Sequence, residues 1–250
     1  MPVLKEKPRA VARDHYLLEI AWDAGESRPG QFVAVRVSEG TDPLLRRPFS
    51  IFSRDPGTVS ILVRTVGKGT GLLALREPGA IDVIGPLGTG FSILRDARVL
   101  LAGGGVGNAP LYYLARELKK TGCDITCIYG ARSRDFIYLE DRYREECSRF
   151  ILTTDDGSAG EKGMVPDAAD RLLRDERFDM VYICGPAAMM KATATRAHGS
   201  PVEVSVENYF GCGIGICAGC SIETPDGRKR ACIDGPVFSG TSIVWDSMPD

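Results

Sequence analysis

Arg98-Val99-Leu100-Leu101-Ala102-Gly103-Gly104-Gly105-Val106-Gly107-Asn108-Ala109-Pro110 decides the fold. Val99 to Ala102 read as a short buried strand, and the glycines after it as a tight turn. Leu111, Leu114, Ala115 and Leu118 then recur at the i, i+3, i+4, i+7 spacing of a helix, with Lys119 and Lys120 in its last turn and Gly122 as its stop. Residues 124–130 supply a second strand, so the unit is βαβ. A parallel sheet with its ligand at the carboxyl ends of the strands follows. Further strands are expected at 150–153 and 180–184, the second running through Cys184 into Gly185-Pro186, where a helix start tolerates proline. Asn108 stands where G-x-G-x-x-G would have its third glycine. Such a turn either leaves amides open to a phosphate or packs tightly against its neighbours.

Upstream of that unit the pattern changes. Short β-branched stretches at 16–22, 31–37, 59–66 and 80–84, broken by Gly and Pro, predict an antiparallel barrel or sandwich with one short helix over 71–77. Within it, Arg46-Arg47-Pro48-Phe49-Ser50-Ile51 lies on a strand whose alternation sends Arg47 and Phe49 to one face and Pro48 and Ser50 to the other. A strand later, the glycines of Val66-Gly67-Lys68-Gly69-Thr70-Gly71 let a phosphate approach backbone amides, and a following helical turn would add its dipole. Together these two stretches point to a flavin site.

Downstream, Cys212, Cys217 and Cys220 share one glycine-rich loop and Cys232 returns to it. The spacing is C-x4-C-x2-C-x11-C, that of a plant-type [2Fe–2S] cluster. Gly211, Gly213, Gly215 and Gly219 suit a loop that aims amide N–H groups at sulfur. A four-cysteine zinc site usually shows two C-x2-C knuckles and this chain has one. A disulfide pair needs an oxidising compartment. Cys123, Cys127, Cys147 and Cys184 are scattered among strands and helices and are expected to be mostly buried reduced thiols.

With 250 residues, 44% of them hydrophobic, the chain can bury more than one core. Its 31 basic and 33 acidic residues leave a net charge of −2, which gives no footprint for nucleic acid or an anionic membrane. The first residues lack the apolar centre of a signal peptide, and no run reaches the roughly 18 apolar residues of a membrane span. A cytoplasmic location is expected.

R-x-x-S at 47–50, then G-x-G-T at 67–70 on a β-barrel, resembles the FAD domain of the ferredoxin–NADP reductase superfamily. That resemblance implies that Arg47 pairs with an FAD phosphate, with Pro48 and Phe49 beside it, and that Ser50 hydrogen-bonds the flavin edge. Leu62, Val63 and Arg64 would line the neighbouring strand, Gly69 and Thr70 would cradle the pyrophosphate, and Gly85-Pro86-Leu87-Gly88 would end the barrel. Phe49 replaces the commoner Tyr, keeping stacking and losing a phenol hydrogen bond. Gly103, Gly105, Gly107 and Pro110 match the superfamily's nicotinamide-domain pattern G-x-G-x-G-x-x-P. The Cys184-Gly185-Pro186 turn would sit near the nicotinamide ring, with Cys184 equally readable as a small buried thiol. Arg132 and Arg134 could meet a 2′-phosphate, whereas a bare ribose hydroxyl wants an acidic acceptor.

The full order is a multi-domain β and α/β chain: an FAD barrel over 1–96, a Rossmann-like NAD domain over 97–206 and a [2Fe–2S] subdomain over 207–250. It resembles the electron-transfer subunits of class B dihydroorotate dehydrogenases. The specific matches are 47–50, 103–110, Asp155-Asp156-Gly157-Ser158, 212–220 and 232–238, while Asn208-Tyr209-Phe210-Gly211 departs from the family before the first cysteine. The resemblance implies a partner subunit carrying FMN and the dihydroorotate chemistry, two of each in a heterotetramer. Electrons would run from that flavin through the cluster and FAD to NAD+. His15 and His198 lie outside the motifs and read as surface or packing residues. Ferredoxin–NADP transhydrogenases and hydrogenases share the layout and form the alternative; a scaffold around a structural zinc is the reading from another class.

Overall fold

A computed structural model describes residues 1–23 and 25–248. Strands β1 (Val3–Leu4), β2 (Arg9–Ala12), β3 (His15–Ala21), β4 (Phe32–Val35), β5 (Arg47–Asp55), β6 (Thr58–Arg64), β7 (Gly79–Ala80) and β8 (Val83–Leu87) form one antiparallel sheet. Their order is β7-β1-β3-β6-β5-β4-β8, with β2 on β3. Leu18, Ile20, Val33, Val35, Ile51, Val59, Ile61 and Val63 converge on one core, because alternate residues of a strand share a face. The opposite face is also apolar: Leu17, Phe52 and Leu62 pack outward against the second lobe.

Helix α1 (Lys68–Ala74) begins three residues before the expected 71–77. The cause is Thr70, whose Oγ1 accepts from the Val66 and Gly67 amides at 2.9 and 3.2 Å and caps the helix as soon as Gly67 ends the loop. The glycines therefore lie in the first turn instead of ahead of it.

The second lobe contains β9 (Arg98–Gly104), α2 (Asn108–Lys120), β10 (Asp124–Ala131), α3 (Glu140–Glu146), β11 (Arg149–Thr154), β12 (Glu161–Lys162), α4 (Val165–Asp175), β13 (Met180–Cys184), α5 (Ala187–Thr195) and β14 (Val202–Ser205). After the hairpin of β15 (Ser221–Thr224) and β16 (Gly227–Arg230), β17 (Val237–Ser239) joins the same sheet. The order β12-β11-β10-β9-β13-β14-β17 is parallel except at β17, which runs antiparallel to β14. Strand order reverses between β9 and β13. That switch point is where a doubly wound sheet opens a crevice for its ligand.

Helix α2 locks the lobes together. Tyr112 stacks on Phe52 with centroids 4.5 Å apart, Tyr113 donates to Ser27 O at 2.9 Å, and Arg116 meets Asp55 at 2.8 Å. Burying each large apolar side chain contributes about 1.5–3 kcal/mol, and a partly exposed ion pair up to about 1 kcal/mol, so the seam is chiefly apolar. The terminal region is equally bound in: Thr89 N–H donates to Gly235 O at 2.6 Å, and Val206 N–H to Pro236 O at 2.9 Å. No helix among the described residues is long and apolar enough to cross a membrane.

Candidate cofactor clefts and cysteine centre

A cleft of about 320 Å³ lies between the lobes, lined by Arg47, Pro48, Phe49, Ser50, Leu62, Arg64, Val66 and Thr70 on one side. Val106, Ala109, Ser205, Val206, Glu207, Asn208, Phe210 and Pro236 face them. Two expectations need correction. Val63 is buried in the barrel core, since alternation along β6 sends Leu62 and Arg64 to the cleft and Val63 away from it. Residues 47–50 do not divide between two faces; all four border the cleft. They pair only with β4, while β6 joins β5 from Ile51 onward, so the open edge beside 47–50 exposes residues of both faces.

The Arg47 guanidinium is steadied by the Leu45 carbonyl, to which Nη1 donates at 2.6 Å. It also stands over Gly69: a Cβ there would lie 3.0 Å from Arg47 Nε. Arg47 and the Gly69-Thr70 turn thus come together in space, beside a cleft that also carries Arg64, Glu207 and Asn208. Glu207 also lines the cleft, open to solvent yet crowded by the protein around it. That crowding raises its carboxyl's proton affinity, against the opposing pull of Arg64.

A second cleft of about 250 Å³ opens at the switch point, bordered by Gly104, Gly105, Gly130, Arg132, Asp155, Pro186 and Met189, with His15 and Arg64 from the first lobe. Of the glycine run, Gly104 and Gly105 face this cleft and Val106 faces the first. Gly103, Gly107 and Pro110 line neither; they are buried packing positions. Gly107 is required because the two strand-end turns abut: a Cβ there would lie 2.5 Å from Cys184 O. Cys184 sulfur is buried and also lines neither cleft, and burial pushes its thiol's pKa far up, opposite to what a reactive thiolate needs. Gly185 borders a smaller recess beside Pro186 and Asn208.

Asn108 explains its departure from the glycine pattern. Its Nδ2 donates to Gly105 O at 2.9 Å and Gly130 O at 3.1 Å, tying the turn to the neighbouring strand, and Oδ1 fills the space where a Cβ on Gly103 would stand. Asn108→Ala is expected to destabilise the protein by about 1–3 kcal/mol, because buried carbonyls lose their donors. Asn108→Gly, which restores the common pattern, is expected to do no better. Denaturant unfolding of both variants checks this, and unchanged stability in either would contradict it.

Three buried tyrosines brace the same turn. Tyr138 OH donates to Gly105 O at 3.1 Å, Tyr143 OH to Asn108 O at 3.2 Å, and Tyr129 OH accepts from Tyr138 N–H at 3.2 Å. Arg132 lies at the cleft rim with its guanidinium 5.8 Å from the Phe136 ring. Arg134 instead binds Ser158, its amide donating to Oγ at 2.8 Å, and does not border the cleft.

The four loop cysteines come as two pairs. Cys212 and Cys217 exchange amide-to-sulfur hydrogen bonds at 3.4 Å in both directions. Cys232 N–H donates to Cys220 Sγ at 3.4 Å. Ile216 N–H reaches Cys212 Sγ at 3.3 Å, Gly219 N–H reaches Cys217 Sγ at 3.5 Å and Gly215 N–H reaches Cys232 Sγ at 3.2 Å. Those amides favour the charged form, and backbone hydrogen bonds bring the Cys212 thiol down to about 6. Gly215 makes its bond from φ +82, a left-handed conformation that disfavours a side chain. No three potential ligands among the described residues converge on one metal ion. Two pairs of thiols held by amide donors suit two irons better than one zinc. Cys220 and Cys232 are buried, and Cys217 is exposed.

The loop rests directly on the barrel: a Cβ on Gly213 would lie 3.6 Å from Leu87 and 3.8 Å from Phe32. Phe32 in turn lines the first cleft and packs on Phe210 at 5.0 Å between centroids. These aromatics, with Glu207, Asn208, Tyr138 and His15, were not candidates on sequence grounds. The one available signal was position, since 205–208 follow directly from a strand end of the parallel sheet.

Residues 207–244 match the iron–sulfur cluster binding domain of dihydroorotate dehydrogenase B, and residues 101–195 match the oxidoreductase NAD-binding domain. The dihydroorotate dehydrogenase B (NAD(+)) electron transfer subunit of Desulforamulus reducens is 42% identical over 228 residues, 87% of each chain. The homolog of that subunit from Thermotoga maritima is 41% identical, covering 89% of this chain and 80% of its own. Among solved structures, one reported for the NADH-dependent reduced ferredoxin–NADP oxidoreductase of flavin-based electron bifurcation superposes with a TM-score of 0.88. It is 37% identical, over 98% of this chain and 91% of that one.

Proposed function

The chain belongs to the family of dihydroorotate dehydrogenase B electron-transfer subunits, and from that premise we propose that it carries electrons between a dihydroorotate-oxidising partner and NAD+. The observation that carries the proposal is the contact of the paired-thiol loop with the wall of the first cleft through Phe32, while the second cleft opens from the same junction at Arg64. A nicotinamide exchanges hydride, a [2Fe–2S] cluster single electrons, and a flavin both, so FAD in the first cleft is the converter between the other two.

The chain's own residues supply position and dryness. Arg47, Gly69 and Thr70 would hold the FAD phosphates, Phe49 and Ser50 the ring system and its edge, and Leu62 and Arg64 the neighbouring side. Pro48, Phe210 and Pro236 would exclude water. Gly104 and Gly105 would receive the dinucleotide phosphates, with Pro186 at the nicotinamide end. Gly103, Gly107, Pro110, Val63, Gly185 and the Cys184 sulfur support these surfaces from behind. Asp155 borders the cleft at the expected ribose end and offers the acidic acceptor that favours NAD over NADP. Cys212, Cys217, Cys220 and Cys232 would ligate the cluster.

Tyr209 and Ile216 are 75% and 80% exposed, with Ile214 at 48%, around the exposed Cys217. An apolar rim at the most accessible thiol fits docking of the partner, which by the family's layout brings FMN and the substrate base; a heterotetramer with two of each subunit in the cytoplasm is the expected assembly. The likeness to the ferredoxin–NADP oxidoreductase supports a second reading, a flavin and iron–sulfur subunit serving ferredoxin-linked transhydrogenation or a hydrogenase.

The visible spectrum of the complex, purified anaerobically from its host, separates the two. Bleaching of flavin and cluster bands by dihydroorotate is the expected result. Bleaching by NADH or NADPH with no response to dihydroorotate would overturn the dihydroorotate assignment in favour of the second reading.

A further inference from the structure

His15 stands at the start of β3, opposite Arg64 in the sheet, and its side chain is buried, with 2% of the residue exposed. Its ring is stacked on Tyr138 with centroids 5.2 Å apart and meets the edge of Phe136. Nδ1 lies 2.6 Å from the Arg13 carbonyl, which can only accept, so Nδ1 carries the proton. Nε2 is left as a bare acceptor with no partner in the protein. A buried acceptor in that state costs free energy unless something donates to it. The residue borders the second cleft, and Tyr138, the ring beneath it, donates to the carbonyl of Gly105 in the glycine turn. The unpartnered nitrogen is therefore one side chain away from the turn.

Resting on the reading of this cleft as the dinucleotide site, we infer that His15 is a binding residue for NAD+, its neutral Nε2 accepting a hydrogen bond from a ribose hydroxyl beside the pyrophosphate. The glycine turn takes the phosphates, and the uncharged donors that flank a pyrophosphate in a dinucleotide are ribose hydroxyls. The charges around the ring agree. Arg64 faces it from β6, Asp14 precedes it in the turn before β3, and Arg132 and Asp155 border the same cleft. Burial first, and Arg64 after it, hold the imidazole below its ordinary 6.5, against the Arg13 carbonyl and Asp14. His15 is thus neutral when the protein works near neutrality.

Calorimetric titration of NAD+ into the intact oxidised holoprotein tests this without turnover. His15→Phe keeps the stack and removes the acceptor, and is expected to weaken NAD+ binding about tenfold. His15→Gln places an amide oxygen near the Nε2 position and is expected to restore most of the affinity. Wild-type affinity should fall as acid protonates His15, while that of His15→Gln stays flat. Should the phenylalanine variant not fold, the contrast between the wild-type and glutamine pH profiles decides. Equal affinity in wild type and His15→Phe, or wild-type affinity that rises on acidification as a cation facing phosphate would give, overturns the inference. Absence of NAD+ binding by the wild type overturns the cleft assignment, and this inference with it.

Discussion

Cys217→Ser is expected to yield a folded protein that retains FAD but holds no cluster, and to lower dihydroorotate-to-NAD+ transfer by more than the about 10–100-fold that follows loss of a single supporting contact at a metal site. Cys217 is the exposed member of the four thiols, and its contacts are amide bonds from Cys212 and Gly219 that a hydroxyl can also accept. Measured between the cluster-free forms, the stability cost should therefore stay within about 0.5 kcal/mol, the usual range for surface changes. A serine oxygen does not replace a thiolate sulfur as a soft ligand to iron. NADH-to-dye activity, which needs only the two clefts, should survive in part. Iron and sulfide analysis with the two assays run side by side checks the separation. Full coupled activity with two irons still bound per chain would refute the proposed route.

Gly107→Ala should give a large structural effect where the strand-end turns of the second lobe meet. The added carbon would sit 2.5 Å from Cys184 O and 2.6 Å from Gly185 Cα, and both are backbone atoms that no rotamer change can move aside. The turns after β9 and β13 must separate, at the upper end of the about 1–3 kcal/mol range for overpacking. For a domain of this size that lowers the melting midpoint by roughly 6–12 °C. NAD+ affinity should fall with it, since the same two turns border the second cleft. Gly105→Ala is the contrast. Nothing lies within 4 Å of its Cβ position, so its cost comes only from φ +57. The left-handed conformation costs roughly 1–2 kcal/mol for a residue with a Cβ. Calorimetric melting of both variants tests the ranking, and an equal or smaller loss at Gly107 would contradict it.

The βαβ unit was legible because its signals are local. Apolar spacing on 111–118, lysines in the last turn and Gly122 as a stop act within a few residues, and α2 ends at Lys120. The cysteine spacing is likewise local, since three of the four thiols share one loop. Helix α1 starts earlier than its glycines suggest because the Thr70 hydroxyl acts on amides three and four residues back and outweighs their pull toward a loop.

The order of the parts and the chemistry each can host are written along the chain: an antiparallel β region with Arg47 and a glycine turn, a strand-glycine-helix unit, and four thiols at cluster spacing. Those follow from periodicity and spacing, which are properties of neighbours along the chain. Which side chains face a cleft depends on packing in three dimensions. Val63, Gly107, Pro110 and the Cys184 sulfur turn away from the clefts, while Phe32, Phe210, Glu207 and His15 turn toward them. Facing is set by sheet register, by the open edge of β5 and by the closure of one lobe on the other through α2. These contacts join residues far apart in the chain, so no local pattern records them.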